Sequence, residues 1–272
     1  MYRFIRTPAL APGCRIAERN LEHSYEKVLS AMSIIRKIME GAAVLPFVRL
    51  PLTGRPLDAE SNLRQDLVEH GRMLHAMGFV AATDGNLSVR MDQDRVMITP
   101  SGVSKGMMRP DDMVIVNLNG AKISGACRPS SEINMHLTIY RMRPDVGAVV
   151  HAHPCTATAF ASCGIALDQP LCSEIVITLG EVPLAPYATT GSMELSDSLA
   201  PYVPDHDAIL MANHGVVTYG VDLRQAYLRM EAVEHYAKIV LAARQLGTTQ
   251  TLNQTQLEAL VAARSRYRQN GH

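Results

Sequence analysis

The chain has 272 residues, and Lys plus Arg equals Asp plus Glu at 26 each, so it carries no broad basic field for nucleic acid or an anionic membrane. Apolar residues make up 47% and charged residues 19%, the balance of a globular protein long enough to bury a real core in one large or two small domains. No apolar run reaches the roughly 18 residues of a membrane-crossing helix, and the opening MYRFIRTPALAPGCR has no continuous apolar stretch of the kind a secretory signal needs. Cys14, Cys127, Cys155, Cys163 and Cys172 are odd in number and form no C-x-x-C pair, which predicts reduced thiols and a cytoplasmic protein. Cys155, close to a histidine pair, is expected to be a small buried residue rather than a ligand.

In chain order, residues 1–58 read as an N-terminal extension. A helix is predicted over 18–39 from Val28, Met32, Ile35 and Met39, and Pro46, Pro51, Gly54 and Pro56 then break regular structure. No chemistry is visible there. A main domain is predicted over 59–272, ending in a C-terminal helix. Leu63, Leu67, Leu74 and Met77 share one helical face, with Gly78 as its stop. Residues 81–90 read as a turn into an alternating strand, and 95–99 as a second strand. Strands over 113–117 and 121–124 flank Asn119-Gly120, which predicts a type I′ hairpin. Pro129-Ser130-Ser131-Glu132 opens a helix to about residue 141, with a serine as N-cap and Glu132 in its first turn.

Residues 149–154, VVHAHP, read as a buried strand ending in two histidines. A short helix over 156–161, a strand over 175–179 and strands over 208–212 and 216–219 follow. Asp222 and Gln225 form a capping pair for a helix to about 246, and a last helix spans 254–268. Strands and helices alternate without a regular βαβ period. That predicts a three-layer α/β/α sandwich with a mixed, mainly antiparallel central sheet.

Residues i and i+2 of a strand share a face, so His151 and His153 can aim two imidazoles at one point. His214 ends another apolar strand and supplies a third. No cysteines cluster nearby, so three histidines with an open position fit better than a closed structural zinc site. His70, His75, His206 and His235 are expected to be non-catalytic. Glu132, at a helix start, is favoured as a carboxylate and suits proton abstraction beside a carbonyl. His136 lies four residues on and shares its helix face, so the two could instead form a metal pair. Gly85-Asn86, Ser101-Gly102 and Ser130-Ser131 are turn loops whose N–H and hydroxyl groups could cradle an anion. No phosphate-binding P-loop or G-x-G-x-x-G supports a nucleotide.

The ordered set GNLSVR, ITPSG, PSSE, HAHP and NHG resembles the class II aldolase/adducin family over about residues 59–245. The resemblance implies that His151, His153 and His214 hold zinc or another divalent metal. It implies Glu132 as the acid/base, and Thr83, Gly85, Asn86, Ser101, Gly102, Ser130 and Ser131 as phosphate-binding residues. It also implies a homotetramer with active sites at subunit interfaces. The epimerase branch has Asp where this chain has Glu132, which favours carbon–carbon cleavage. The tyrosine that a neighbouring subunit supplies in the fuculose-phosphate aldolase is absent from residues 171–175, where Glu174 is the candidate replacement. The expectation is therefore a zinc-dependent lyase acting on a small phosphorylated ketose or sugar acid through a metal-stabilised enediolate. The alternatives are decarboxylation of a 3-oxo-sugar-acid phosphate, epimerisation and a non-catalytic adducin-like scaffold. A metallo-hydrolase of the H-x-H-x-D-H kind is disfavoured, because Cys155 and Thr156 stand where Asp and His would follow.

Overall fold

The computed structural model describes residues 59–269, and the helix predicted over 18–39 lies outside them. The elements run α1 (Ala59–Ala76), β1 (Asn86–Arg90), β2 (Arg95–Ile98), β3 (Val114–Asn117), β4 (Lys122–Ser124), α2 (Ile133–Met142) and β5 (Ala148–Ala152). They continue as α3 (Cys155–Ser162), α4 (Ser173–Thr178), β6 (Leu184–Ala185), α5 (Met193–Leu199), β7 (Ala208–Met211), β8 (Gly215–Gly220), α6 (Leu223–Leu246) and α7 (Gln254–Gln269). One eight-stranded sheet has the order β4-β3-β2-β1-β5-β8-β7-β6. Every pairing is antiparallel except β6 with β7. Among the described residues, no helix is long and apolar enough to cross a membrane.

Strand alternation divides the core in two. In β5, Ala148, Val150 and Ala152 face the layer that holds Leu67 of α1, Phe160 of α3 and Met230 of α6. Val149 faces the opposite layer, with Met135, Ile139 and Tyr140 of α2 and Leu195 of α5. The sandwich is thus three layers, as the alternation predicts. Each fully buried Leu, Val or Met contributes roughly 1.5–3 kcal/mol relative to exposure. The long α6 begins at the predicted cap, where Asp222 Oδ1 accepts from Gln225 N at 2.8 Å and Gln225 Oε1 from Val221 N at 3.1 Å.

Four local expectations are corrected. Residues 175–179 are not a strand: Ser173–Thr178 is helical, because Leu171, Ile175 and Leu179 recur every four residues and turn one face to the core. The β3–β4 turn is not type I′. Only Gly120 takes positive φ (85°), and Asn117 Oδ1 accepts from the N–H groups of Asn119 and Ala121 at 3.0 and 2.9 Å, which organises a three-residue loop. Glu132, rather than a serine, occupies the N-cap of α2, and its side chain does no capping. Cys155 is exposed at the start of α3.

Candidate metal centre and active site

His151 shares the Val149 face of β5, so its ring emerges on the α2 side of the sheet, wholly buried. Its Nδ1 lies 2.8 Å from the Val216 carbonyl. In the neutral ring that bond places the proton on Nδ1 and leaves the Nε2 lone pair free, the state a metal ligand requires. His153 follows just beyond the strand, held by its backbone N–H on the Phe79 carbonyl at 2.8 Å. Its Nε2 is 3.0 Å from His151 Nε2, and its Nδ1 is 3.5 Å from the Asp84 carboxylate.

His214 comes from the β7–β8 hairpin, and its neighbours explain why the local sequence is Asn-His-Gly. Asn213 has φ of 56°, a left-handed conformation that asparagine tolerates. A Cβ on Gly215 would sit 2.5 Å from His153 Cδ2 and 2.7 Å from the Ala152 carbonyl oxygen, so only glycine lets the hairpin approach. The three ring centroids are 4.7, 4.8 and 5.2 Å apart, and their ligand atoms all lie within 4.8 Å of one another.

Glu132 leans across this cluster. Its Oε2 is 3.2 Å from His151 Nε2 and its Oε1 is 3.2 Å from His214 Nε2. Asn86 Nδ2 donates to Oε2 at 2.8 Å, while Oε1 is buried without a hydrogen bond. Burial opposes ionisation of Glu132, but the His151 and His214 imidazoles outweigh it and hold the carboxyl far below the usual range. Burial likewise pulls His151 down, and the Glu132 carboxylate more than compensates, leaving it raised. Burial, then repulsion from His151 and His214, push His153 down to about 4. Convergent imidazole nitrogens and a buried carboxylate oxygen lacking a donor form a set that fits a divalent ion such as zinc.

The expected phosphate loops divide. An antiparallel bridge between Pro100 and Pro129 brings their turns together. Ser101, Ser130 and Ser131 then line an open cleft of about 380 Å³ with Arg128, Pro129 and Ile133. Gly102 occupies the same turn as Ser101 with φ of 74°. Ser130 Oγ also accepts from the Glu132 N–H at 3.3 Å. Thr83 is exposed, and its carbonyl accepts from Lys105 Nζ at 3.0 Å. Gly85 is needed for packing, since a Cβ there would be 2.8 Å from the His151 carbonyl oxygen. The Asn86 side chain is occupied by Glu132 and His136 rather than directed to the cleft.

Glu174 is exposed in the first turn of α4 and makes no contact with the cluster within one chain. His136 is no metal partner of Glu132; both its ring nitrogens are engaged elsewhere. His70 packs edge-on against Tyr227, and His206 bonds the Tyr202 carbonyl. Sequence reasoning missed Arg128 and Asp84. A cation directly before Pro129-Ser130-Ser131 is a signal for the first, and nothing in the linear sequence pairs Asp84 with His153.

The chain belongs to the class II aldolase and adducin family, since the model of the class II aldolase and adducin N-terminal domain matches residues 65–241. It is an enzyme of the class II aldolase type. The 5-deoxy-D-ribulose 1-phosphate aldolase of Bacillus thuringiensis serovar kurstaki is 35% identical over 199 residues, 72% of this chain and 92% of that one. The 3-oxo-tetronate 4-phosphate decarboxylase of Pectobacterium atrosepticum is 35% identical over 193 residues, 69% of this chain and 88% of that one. Among solved structures, an L-fuculose 1-phosphate aldolase superposes with a TM-score of 0.71 at 32% identity, over 76% of this chain and 97% of that one.

Proposed function

We propose that this protein is a zinc-dependent lyase that breaks a carbon–carbon bond in a small phosphorylated ketose or sugar acid. The observation that carries the reading is the position of Glu132, whose two oxygens lie 3.2 Å from His151 and His214 at the mouth of a three-histidine cluster. His151, His153 and His214 would hold the ion. A divalent cation held there supplies a Lewis acid that stabilises the negative charge left when the bond breaks. Glu132, kept ionised, moves the proton at the carbon beside the carbonyl. Ser101, Gly102, Ser130 and Ser131, with Arg128 beside them, take the phosphate at the cleft before α2 and so fix the reacting carbons against Glu132. Thr83, Gly85 and Asn86 do not line that cleft, and Asn86 enters this reading through its hydrogen bond to Glu132. Glu174 can serve as proton donor only across a subunit interface, which fits the homotetramer the family resemblance implies.

Decarboxylation of a 3-oxo-sugar-acid phosphate is the second reading, favoured by the decarboxylase relative and by the missing tyrosine in residues 171–175. One experiment separates them. The zinc-loaded protein is offered 5-deoxyribulose 1-phosphate, fuculose 1-phosphate and 3-oxo-tetronate 4-phosphate, and aldehyde and CO₂ are measured. Aldehyde release that His153→Ala abolishes supports the aldolase. CO₂ alone moves the assignment to the decarboxylase, and neither product rejects the lyase.

A further inference from the structure

Behind Glu132 lies a run of buried polar groups that the lyase chemistry does not itself employ. In β1, Leu87 and Val89 face the α1 layer, so Asn86 and Ser88 point to α2, where His136 and Tyr140 stand one turn apart. The contacts form one line. Tyr140 Oη is 2.8 Å from Ser88 Oγ, which is 2.7 Å from His136 Nδ1. His136 Nε2 is 2.5 Å from Asn86 Oδ1, and Asn86 Nδ2 is 2.8 Å from Glu132 Oε2.

The direction of every bond follows from one end. Asn86 Nδ2 donates to the Glu132 carboxyl oxygen, which leaves the Asn86 carbonyl oxygen facing His136. His136 must then carry its proton on Nε2, which makes Nδ1 an acceptor. Ser88 donates to that nitrogen and accepts in turn from the Tyr140 hydroxyl. All donors point the same way, with their positive ends towards Glu132. Burial pushes the His136 imidazole down to about 3, with repulsion from His151 in the same direction, so the ring is neutral near pH 7. A hydrocarbon side chain would fill this space without needing two satisfied ring nitrogens.

We propose that His136 is a positioning residue for Glu132: its Nε2–H fixes the Asn86 amide in the one orientation that donates to the carboxylate and holds it towards the three histidines. Its kinetic consequence rests on the lyase reading. With the donor gone, the Asn86 amide oxygen is left buried without a partner, and the side chain is free to swing off the carboxylate it supports. The loss should fall on turnover rather than on substrate binding, because His136 does not line the cleft and its hydrogen bonds go to Ser88 and Asn86.

The test has two arms on the full chain. In the first, ¹⁵N NMR of histidine-labelled protein assigns His136 by its absence in His136→Gln. A neutral ring with the proton on Nε2 near pH 7 is expected, and a proton on Nδ1 or a doubly protonated ring overturns the proposal. In the second, the zinc-loaded protein is compared with His136→Leu, His136→Gln, Asn86→Leu and the double variant His136→Leu/Asn86→Leu. His136→Leu should lower kcat by about 10–100-fold with KM and zinc content unmoved, while His136→Gln, which keeps a donor in place of Nε2, retains most of it. The double variant should lose no more than the worse single one. Equal losses in His136→Leu and His136→Gln, or additive losses in the double variant, overturn the proposal. A wild-type chain that releases neither aldehyde nor CO₂ from these phosphorylated substrates rejects the lyase reading, and the NMR arm still decides the network.

Discussion

Replacing Gly215 by alanine adds a single methyl group at the point where two strands and two of the clustered histidines meet. Gly215 does not take a positive φ, so alanine suffers no backbone penalty and the whole effect is steric. The new Cβ would stand 2.5 Å from His153 Cδ2, 2.7 Å from the Ala152 carbonyl oxygen and 3.4 Å from His151 Cε1. Ordinary carbon contacts are about 3.5–4.0 Å, so His153 must shift by roughly 1 Å, and β5 with it, since the carbonyl cannot rotate away. Overpacking of this kind costs about 1–3 kcal/mol. At roughly 2–4 °C per kcal/mol for a domain of this size, the melting temperature of the metal-free protein should fall by about 2–12 °C. Zinc binding should suffer more, because the displaced ring is one of the three proposed ligands. Thermal denaturation with chelator and zinc titration of the same samples measure the two effects. A Gly215→Ala protein with unchanged melting temperature and zinc affinity would refute the packing argument.

The other predictions concern groups around the same site. Asp84→Asn weakens the partner of His153 Nδ1 at 3.5 Å, and should reduce zinc affinity by about tenfold or less in a competition titration, because Asp84 is half exposed. Glu234, buried on α6, accepts from the N–H groups of Thr156 and Ala157 at 3.1 and 2.9 Å and so caps α3 just after the ligand pair. Glu234→Ala should cost about 1–3 kcal/mol in urea denaturation. His136 is neutral when folded and protonates below about 6.5 when unfolded, so the unfolded state binds the extra proton. Stability of the metal-free protein should therefore fall as pH drops from about 6.5 towards 4, and His136→Gln should flatten that slope by about 1.4 kcal/mol per pH unit.

The parts of the site that depend on strand alternation and on single turns were legible in the sequence. His151 follows from the period of two along β5, and His214 from its place between an apolar strand and a glycine. The three-layer fold follows from the same alternation. What could not be read was the pairing of residues distant in the chain. Asn86 looks like a turn residue suited to an anion. Only the register of β1 against β5, which sets Asn86 opposite His151, shows that its amide meets Glu132 instead. His136 looks like a ligand at helical spacing from Glu132. The α2 helix instead turns it onto Ser88 and Asn86, whose hydrogen bonds occupy both ring nitrogens. The helix over Ser173–Thr178 was hidden by β-branched Ile175, Val176 and Ile177, whose local strand preference was overridden by tertiary packing of one face.

The account rests on an ion held by three imidazoles beside Glu132. Anomalous diffraction at the zinc edge from crystals grown with zinc tests it most directly. The prediction is a single strong peak within about 2.0–2.2 Å of a nitrogen from each of His151, His153 and His214. A peak placed elsewhere, or none at this cluster, would contradict it.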